Sequence, residues 1–517
     1  MKDAKERWSC PALVLLTEDP GIGAPIGALT TLLAQTIVND FGDATVVVEL
    51  DGAGVGGGDG SRVSLRAPAD LDGAVTALRG AMPALARRAA YIFLDVSGRS
   101  RAFQVDLARR LGDADLGAVA GRAVHLTRSK ATPSLPGWSL LRTDLLAPGP
   151  RFGLDPEPGK GRRRSASATR DLVAKEMARL TGAAPESQGE LYPPERMTPD
   201  FCRIRLDLEA VKSGATQTSR LTDAMRSSLS RWARAITDRR IGVALGGSGS
   251  WGYAHVALLE ALELASVPVD LIGSASSGSL MGAYYCVLGR EGLDLAVRRG
   301  PEFQRMAWTS VMTSAAIEHR LDVDLGRVAV EDLEILFFPV ATNLTNAKAE
   351  LMTRSTVGFG VRASGSAPGF FAATVAQGAL YVDGAVTDNV PALLLERMGA
   401  ALVIAANALP PPNGVRVSMP RTRARALLDE LSPTRRAKDL IAALSLMFHD
   451  SGDVPTSGTR VLFDPPAERL AIFRTFEFHK ARKIFAHVKQ EKEFAAAVVE
   501  SVAAWDRLRA PRRAGFP

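Results

Sequence analysis

Residues 241–288 limit the fold of this chain more than any other stretch. They read IGVALGGSGSWGYAHVALLEALELASVPVDLIGSASSGSLMGAYYCVL. The run 241–245 is short, apolar and ended by glycine, the pattern of a buried strand. A glycine-rich turn follows, from Gly246 to Gly252, and then a helical pattern over 253–264. A second buried strand is predicted at 267–272. It empties into a turn of small residues, Gly273 to Gly278, and a second apolar helix begins at once. Two strand–turn–helix units in succession predict a parallel sheet with right-handed crossovers. In such sheets, ligands meet the turns at the carboxyl ends of the strands.

The two turns suit two chemical tasks. The second has the form of a nucleophile elbow, which exposes one serine between a strand and a helix. Small residues must flank that serine, because strand and helix pack closely around it. Ser274, Ala275, Gly278 and Gly282 meet the need, and the central residue is Ser276. The helix behind it aims free N–H groups at the serine, which favours negative charge there. The glycine-rich first turn lets several N–H groups converge on one point, as an oxyanion hole requires. Taken alone, such a turn serves equally as a tight connection or a phosphate cradle.

A third element favours acyl chemistry. In the run YVDGAVTDNVP from Tyr381, Asp383 ends a short apolar strand and Gly384 lets the backbone turn away. A carboxylate at that point is placed to act as base for Ser276. Glycine-rich turn, serine elbow and a late Asp-Gly, in that order, resemble the patatin-like phospholipases. The resemblance extends over residues 234–399 and more weakly to about 488. It includes Phe338-Pro339-Val340-Ala341-Thr342-Asn343-Leu344 and the run RASGSAPGFF from Arg362. The lead-in SRWARAIT from Ser230 is similar to the neuropathy-target-esterase branch. The chain departs from the family at Trp251, where Arg or Lys is usual, and at Ser274, where Gly is usual.

The resemblance implies a three-layer α/β/α hydrolase domain with a mainly parallel sheet. It also implies a Ser–Asp dyad rather than a triad, so His255, on the helix after the glycine turn, is expected to be structural. The expected reaction is hydrolysis of phospholipid or lysophospholipid esters by Ser276 and Asp383, through an acyl-enzyme. Gly247, Ser248, Gly249 and Gly252 are the expected oxyanion-hole residues, and Trp251 an expected wall or lid of the acyl pocket. No metal or cofactor is implied. The rival expectation is a catalytically silent lipid-binding or scaffolding protein, since Trp251 supplies no charge beside the oxyanion.

The chain has 517 residues, 46% hydrophobic and 23% charged, which predicts more than one ordinary globular domain. Residues 1–147 alternate strand and helix. Strands are predicted at 12–17, 44–50, 90–96, 123–127 and 138–141, and helices at 26–41, 71–88 and 103–111. This reads as a Rossmann-like α/β domain. Its turn DPGIGAP, from Asp19, stands where a P-loop would be but lacks the lysine and Ser/Thr that phosphate and magnesium need. A degenerate nucleotide-binding domain is expected. Residues 148–217 read as a linker with a short helix at 169–180, and 218–517 as the hydrolase domain. The lead-in helix over 218–237 is expected to pack on the hydrolase sheet.

Between the elbow and Asp383, residues 290–325 read as mostly helical. Met306, Trp308, Met312 and His319 lie there and fit either the core or a wall of the acyl pocket, with core packing favoured. After residue 412 the chain turns basic, then carries apolar stripes at 440–448 and 470–488. Those stripes fit either packing on the domain or docking at a membrane surface. The net charge of +7 favours anionic surfaces. Nothing in the sequence points to nucleic acid. No run approaches the ~18 apolar residues of a membrane span. The charged start and three widely spaced cysteines, Cys10, Cys202 and Cys286, lead us to expect a cytoplasmic protein, peripheral at a membrane.

Overall fold

The computed structural model describes residues 11–512 except 51–61, 66–69, 98, 113–118, 130–134, 136, 148–187, 192–200, 214–217, 219–220, 310–313, 377, 410–459 and 464–475. The expected helix at 169–180, the basic run after 412 and the stripe at 440–448 lie outside the described residues. The chain divides into two compact units: of the described residues, those up to 147, 201–240 and from Asp506 form the first, and 188–191 with 241–505 the second.

The first unit is a parallel sheet. Its strands are β1 (Ala12–Glu18), β2 (Thr45–Glu49), β3 (Arg62–Ser64), β4 (Tyr91–Asp95), β5 (Ala120–Thr127) and β6 (Ser139–Leu145). After β7 (Gln188–Leu191), which joins the other sheet, comes β8 (Phe201–Ile204). The order is β3-β2-β4-β1-β5-β6-β8, parallel throughout. Central strand β1 is apolar at every position from Ala12 to Leu16 and buried along that length, as a strand covered on both faces must be. Alternate residues point to one side. Leu13, Leu15, Val46, Val48, Ile92 and Leu94 therefore share a core with Leu78 and Leu85 of the helix Leu71–Arg88 and Leu107 of the helix Arg101–Gly112. The helix Ile26–Phe41 ends at Gly42, whose φ of 68° supplies the left-handed residue that closes a helix.

The helix Asp223–Ile236 differs from expectation. It packs on the helix Ile26–Phe41 and on β8, within the first unit, rather than on the sheet that begins at Ile241. Its apolar face carries Met225, Leu229, Trp232 and Ile236, all buried. The fully buried Trp232 donates Nε1–H to Thr143 Oγ1 at 3.0 Å, and Arg122 donates to the Ala235 carbonyl at 2.9 Å. An amphipathic pattern shows that a face will be buried, not against which sheet. Cys202, on β8, is buried, which pushes its thiol pKa up to about 11. Cys286, in the second unit, is half-buried.

The second unit holds β9 (Ile241–Leu245), β10 (Leu271–Ser274), β11 (Leu336–Asn343), β12 (Lys348–Arg354), β13 (Thr374–Ala376), β14 (Ala379–Asp383), β15 (Leu402–Ala406) and β16 (Arg460–Phe463). The order is β13-β14-β11-β10-β9-β15-β16, with β12 on β11 and β7 on β12. The middle strands β11, β10, β9 and β15 are parallel, as is β16 on β15; β14, β13, β12 and β7 add on antiparallel. Register sets the height of the site. Leu245 pairs with Ser274 on one side and with Ala406 on the other. Ser274 pairs with Pro339, and two residues further along β11 Ala341 pairs with Asp383. The turns after β9 and β10 and the end of β14 therefore meet at the carboxyl edge of the parallel strands. No helix among the described residues is long and apolar enough to cross a membrane.

Candidate active site

Ser276 follows β10 with φ 51° and ψ −123°, a conformation that residues other than glycine rarely adopt. The strain holds its side chain out at the sheet edge: among residues 271–280, all except Ser276 are buried. Ser276 also precedes the helix Ser277–Leu288, whose N–H groups at Gly278, Ser279 and Leu280 turn back to the carbonyls of Ala275 and Ser276. The close packing has a visible cause at Gly278, where a Cβ would lie 2.2 Å from the Leu245 carbonyl oxygen.

The glycine-rich turn after β9 lies directly against this serine. A Cβ on Gly247 would stand 2.7 Å from Ser276 Cβ, 3.0 Å from Asn389 Oδ1 and 3.2 Å from Ala385 Cβ. One glycine thus borders the serine elbow and the loop that follows Asp383. Two of the expected oxyanion donors are already engaged. Gly247 N–H is donated to Asn389 Oδ1 at 2.7 Å, and Ser248 N–H to Ser277 Oγ at 2.9 Å. Gly249, with φ 59°, lines the cleft beside Ser276. Gly252 does not: a Cβ there would lie 2.8 Å from Ser277 Oγ, so it closes the turn against Ser277. His255 is fully buried and donates Nε2–H to the Gly246 carbonyl at 2.7 Å. Burial lowers its pKa to about 4, against the raising effect of that bond, so it is neutral and braces the start of the turn.

Asp383, at the end of β14, is completely buried. Its Oδ1 accepts the Ala385 N–H at 2.9 Å, while Oδ2 has no hydrogen-bond partner. Burial raises its pKa to about 7 against the lowering effects of the Ser276 hydroxyl and the Ala385 N–H. The hydroxyl is thus close enough to act on the carboxyl, without reaching good hydrogen-bond geometry at Oδ2. Such loose contacts are usual before substrate arrives.

Residues 243–395 match the patatin-like phospholipase family. This stretch is a patatin-like phospholipase domain. Neuropathy target esterase sws of Drosophila melanogaster is 31% identical over 196 residues, which cover 35% of this chain and 14% of that protein. Lysophospholipase NTE1 of Debaryomyces hansenii is 29% identical over 206 residues, 37% of this chain and 13% of that protein. The chain therefore spans only a small part of the length of these relatives. VipD of Legionella pneumophila, a solved structure, aligns with 50% of this chain and 67% of its own at 12% identity and a TM-score of 0.26.

Beside Ser276 the patatin-like domain opens an apolar cleft of about 950 Å³, its mouth included. Leu280, Phe303, Ile317, Phe370, Phe371, Phe476 and Phe478 supply most of its wall. Trp251, the expected wall or lid, is buried and does not line it. The reason is the tight 3-10 turn Gly249–Gly252. Such a turn rotates about 120° per residue, so with Gly249 on the cleft Trp251 points elsewhere. Of the residues expected between elbow and Asp383, Met306 is buried and His319 exposed, and neither lines the cleft. Met312 and the Trp308 side chain lie outside the described residues. The stripe expected at 470–488 is described from Phe476 on. Phe476 and Phe478 enter the cleft, with rings of Phe370 and Phe476 centred 4.5 Å apart.

Some site residues carried no signal of their own in the sequence. Ser364 holds Ser276: its carbonyl and its hydroxyl each accept from Ser276 N–H at 3.1 Å. Ser366, two residues on, accepts the Asp383 N–H at its carbonyl at 3.0 Å. A three-residue span thus grips the backbones of both Ser276 and Asp383. The helix Val357–Ser364 that delivers it is fixed by the buried pair Arg362–Glu318, 3.2 Å apart. Ser274, which departs from the usual glycine, bonds Ser279 at 2.9 Å, and Ser279 bonds the Ser364 hydroxyl at 2.8 Å. These serines look ordinary in a run such as RASGSA and gain a role only through the fold.

Proposed function

We propose that the patatin-like domain is a serine acyl hydrolase of lipid esters, of the phospholipase A or lysophospholipase type. One observation carries this: a strained, half-exposed Ser276 adjoins a buried aspartate with one oxygen unsatisfied, at the mouth of an apolar cleft. A carboxyl titrating near 7 is matched to proton transfer at neutral pH.

The acyl chain lies in the cleft and the ester carbonyl sits over Ser276. Asp383 Oδ2 takes the hydroxyl proton as Oγ bonds to the carbonyl carbon. The negative charge that develops on the carbonyl oxygen is met by the N–H groups of Gly249 and Ser277, which line the cleft. The tetrahedral intermediate collapses, the ester C–O bond breaks, and the leaving alcohol carries the proton away. Water then attacks the acyl-enzyme, Asp383 taking its proton, and collapse returns that proton to Ser276 as the fatty acid leaves. The basic, apolar carboxyl-terminal part supports a substrate drawn from a membrane surface.

A fluorophosphonate probe tests the assignment. The whole protein should be labelled, and Ser276→Ala should not. Labelling that survives Ser276→Ala, or hydrolysis abolished by excess chelator, overturns the mechanism. A protein that binds anionic vesicles but neither labels nor turns over any lipid ester would be the silent lipid-binding rival.

For the first unit we propose a degenerate nucleotide-binding type of α/β domain that does not hydrolyse ATP. Supporting this, Glu18 Oε2 accepts the Ala24 N–H at 2.7 Å, which puts a carboxylate in the turn where a phosphate would have to sit. Magnesium-dependent ATP binding that is lost when this turn is altered would overturn the reading.

A further inference from the structure

We propose that the Ser277 hydroxyl is a further catalytic group, a side-chain donor to the oxyanion. The inference rests on the acyl-hydrolase reading of Ser276. It starts from a shortage: Gly247 and Ser248 have committed their N–H groups to side chains, and Trp251 brings no cation to the cleft.

Ser277 follows the nucleophile and lines the cleft together with Ser248, Gly249 and Ser276. Its Oγ accepts the Ser248 N–H at 2.9 Å, and the Ser248 hydroxyl lies 3.3 Å away. A serine oxygen has two acceptor lone pairs and one proton to give. Either hydroxyl of this pair can donate to the other. In the arrangement where Ser248 O–H donates, both lone pairs of Ser277 Oγ are taken and its proton has no further acceptor among the described hydrogen bonds. Gly252 blocks the opposite side, since even a Cβ there would stand 2.8 Å from Ser277 Oγ. The open direction is the cleft. A hydroxyl that accepts two hydrogen bonds donates a stronger one. The Ser248 N–H therefore acts on the oxyanion through Ser277 Oγ instead of directly. The donation strengthens as the carbonyl oxygen becomes an oxyanion, which is where catalysis gains.

The test uses the full chain, with active sites counted by fluorophosphonate titration so that misfolded protein does not enter the rates. Ser277→Ala should lower kcat on a lysophospholipid by roughly 10²-fold, the scale of losing one oxyanion donor, with KM little changed. A long-chain trifluoromethyl ketone, which Ser276 converts to a charged hemiketal, should bind Ser277→Ala more weakly by a similar factor. The matching secondary alcohol, which forms no oxyanion, should bind both proteins alike. Ser248→Ala, which leaves the Ser277 proton in place, should lose less than Ser277→Ala in both measurements. The proposal fails if Ser277→Ala turns over and binds the ketone as well as the parent, for then Ser277 only covers the Ser248 N–H. It fails too if ketone and alcohol weaken together, the mark of a damaged cleft. A parent protein that is never labelled at Ser276 would instead sink the acyl-hydrolase reading itself.

Discussion

Each of the two units carries a glycine-bearing turn after a strand whose two neighbours are parallel to it, and a strand-end aspartate nearby, yet they use them oppositely. In the turn after β1, Gly21 and Gly23 have φ of 89° and 63°, with nothing within 4 Å of where a Cβ would be. Those glycines serve conformation. In the turn after β9, Gly246 and Gly247 have ordinary φ, and a Cβ on either would stand under 3.0 Å from Val390 or Ser276. Those glycines serve close approach, the condition for bringing three chain segments to one point.

The aspartates differ in the same sense. Burial works to raise the Asp19 pKa, but hydrogen bonds from Thr127, His125 and Ser129 outweigh it and the carboxyl ends below the ordinary value. Those partners stand at 2.6, 3.0 and 2.9 Å. Asp383 is raised to about 7, with one oxygen unmatched. A satisfied carboxylate holds structure together, whereas an unsatisfied one in low dielectric retains a reason to take a proton.

The largest effect that tests this contrast is on turnover. Ser276→Ala or Asp383→Asn should each reduce lysophospholipid hydrolysis by roughly 10⁴-fold or more, the scale seen when a nucleophile or its carboxylate partner is removed. Asp19→Asn should leave the rate per active site unchanged, and equal losses at both aspartates would erase the distinction.

Next in size is the glycine contrast. Gly247→Ala forces a methyl against Ser276 and should lower kcat by about 10²-fold, the cost of displacing reacting groups by an ångström. Gly23→Ala meets no atom and should show only the backbone penalty, about 1 kcal/mol in urea unfolding.

A smaller, graded effect is the pH profile. Asp383 must be ionised to accept a proton, so kcat/KM should rise with pH through a value near 7 and level off above it. Asp19, already ionised there, adds no limb. A profile flat between about pH 5 and 9 would remove Asp383 as the base.

Stability should change with opposite signs at the two sites. Asp19 has a lowered folded pKa, so its contribution is present above the unfolded value near 3.9 and lost as pH falls through the folded one. Asp19→Ala should therefore cost about 1–3 kcal/mol at pH 7 by leaving its donors unpaired. Asp383 has a raised folded pKa. Its folded state is favoured below the unfolded pKa, and that advantage is lost as pH rises through about 7. Asp383→Asn should accordingly raise the melting temperature at pH 8 more than at pH 5. A carboxylate kept for chemistry at the expense of stability predicts that sign, and a lowered melting temperature at pH 8 would contradict it.

Local pattern was enough to find the inner strands of the first unit and the start of the second, while β7 and β8 lie in what reads as linker. Short apolar runs identify β1, β4 and β9, and of β10 only its start, Leu271 and Ile272, since the strand expected at 267–272 begins at Leu271; Gly42 marks the end of its helix, because left-handed closure demands that residue type. The turns that carry Ser276 and Asp383 were legible for a related reason: a tight strand-to-helix turn and an Asp-Gly corner need small residues at fixed offsets. Tertiary structure decided the rest. The amphipathic helix Asp223–Ile236 shows its apolar face in sequence, but that face fits any sheet, and only packing assigned it to the first unit. Trp251 left the cleft because of a 3-10 turn, while Phe476 and Phe478 entered it from far along the chain. Asn389, Ser277, Ser364 and Ser366 are short polar residues of unremarkable types. Their roles come from hydrogen bonds that span from 17 positions of sequence, Ser366 to Asp383, up to 142, Asn389 to Gly247, and no local pattern records a partner at that distance.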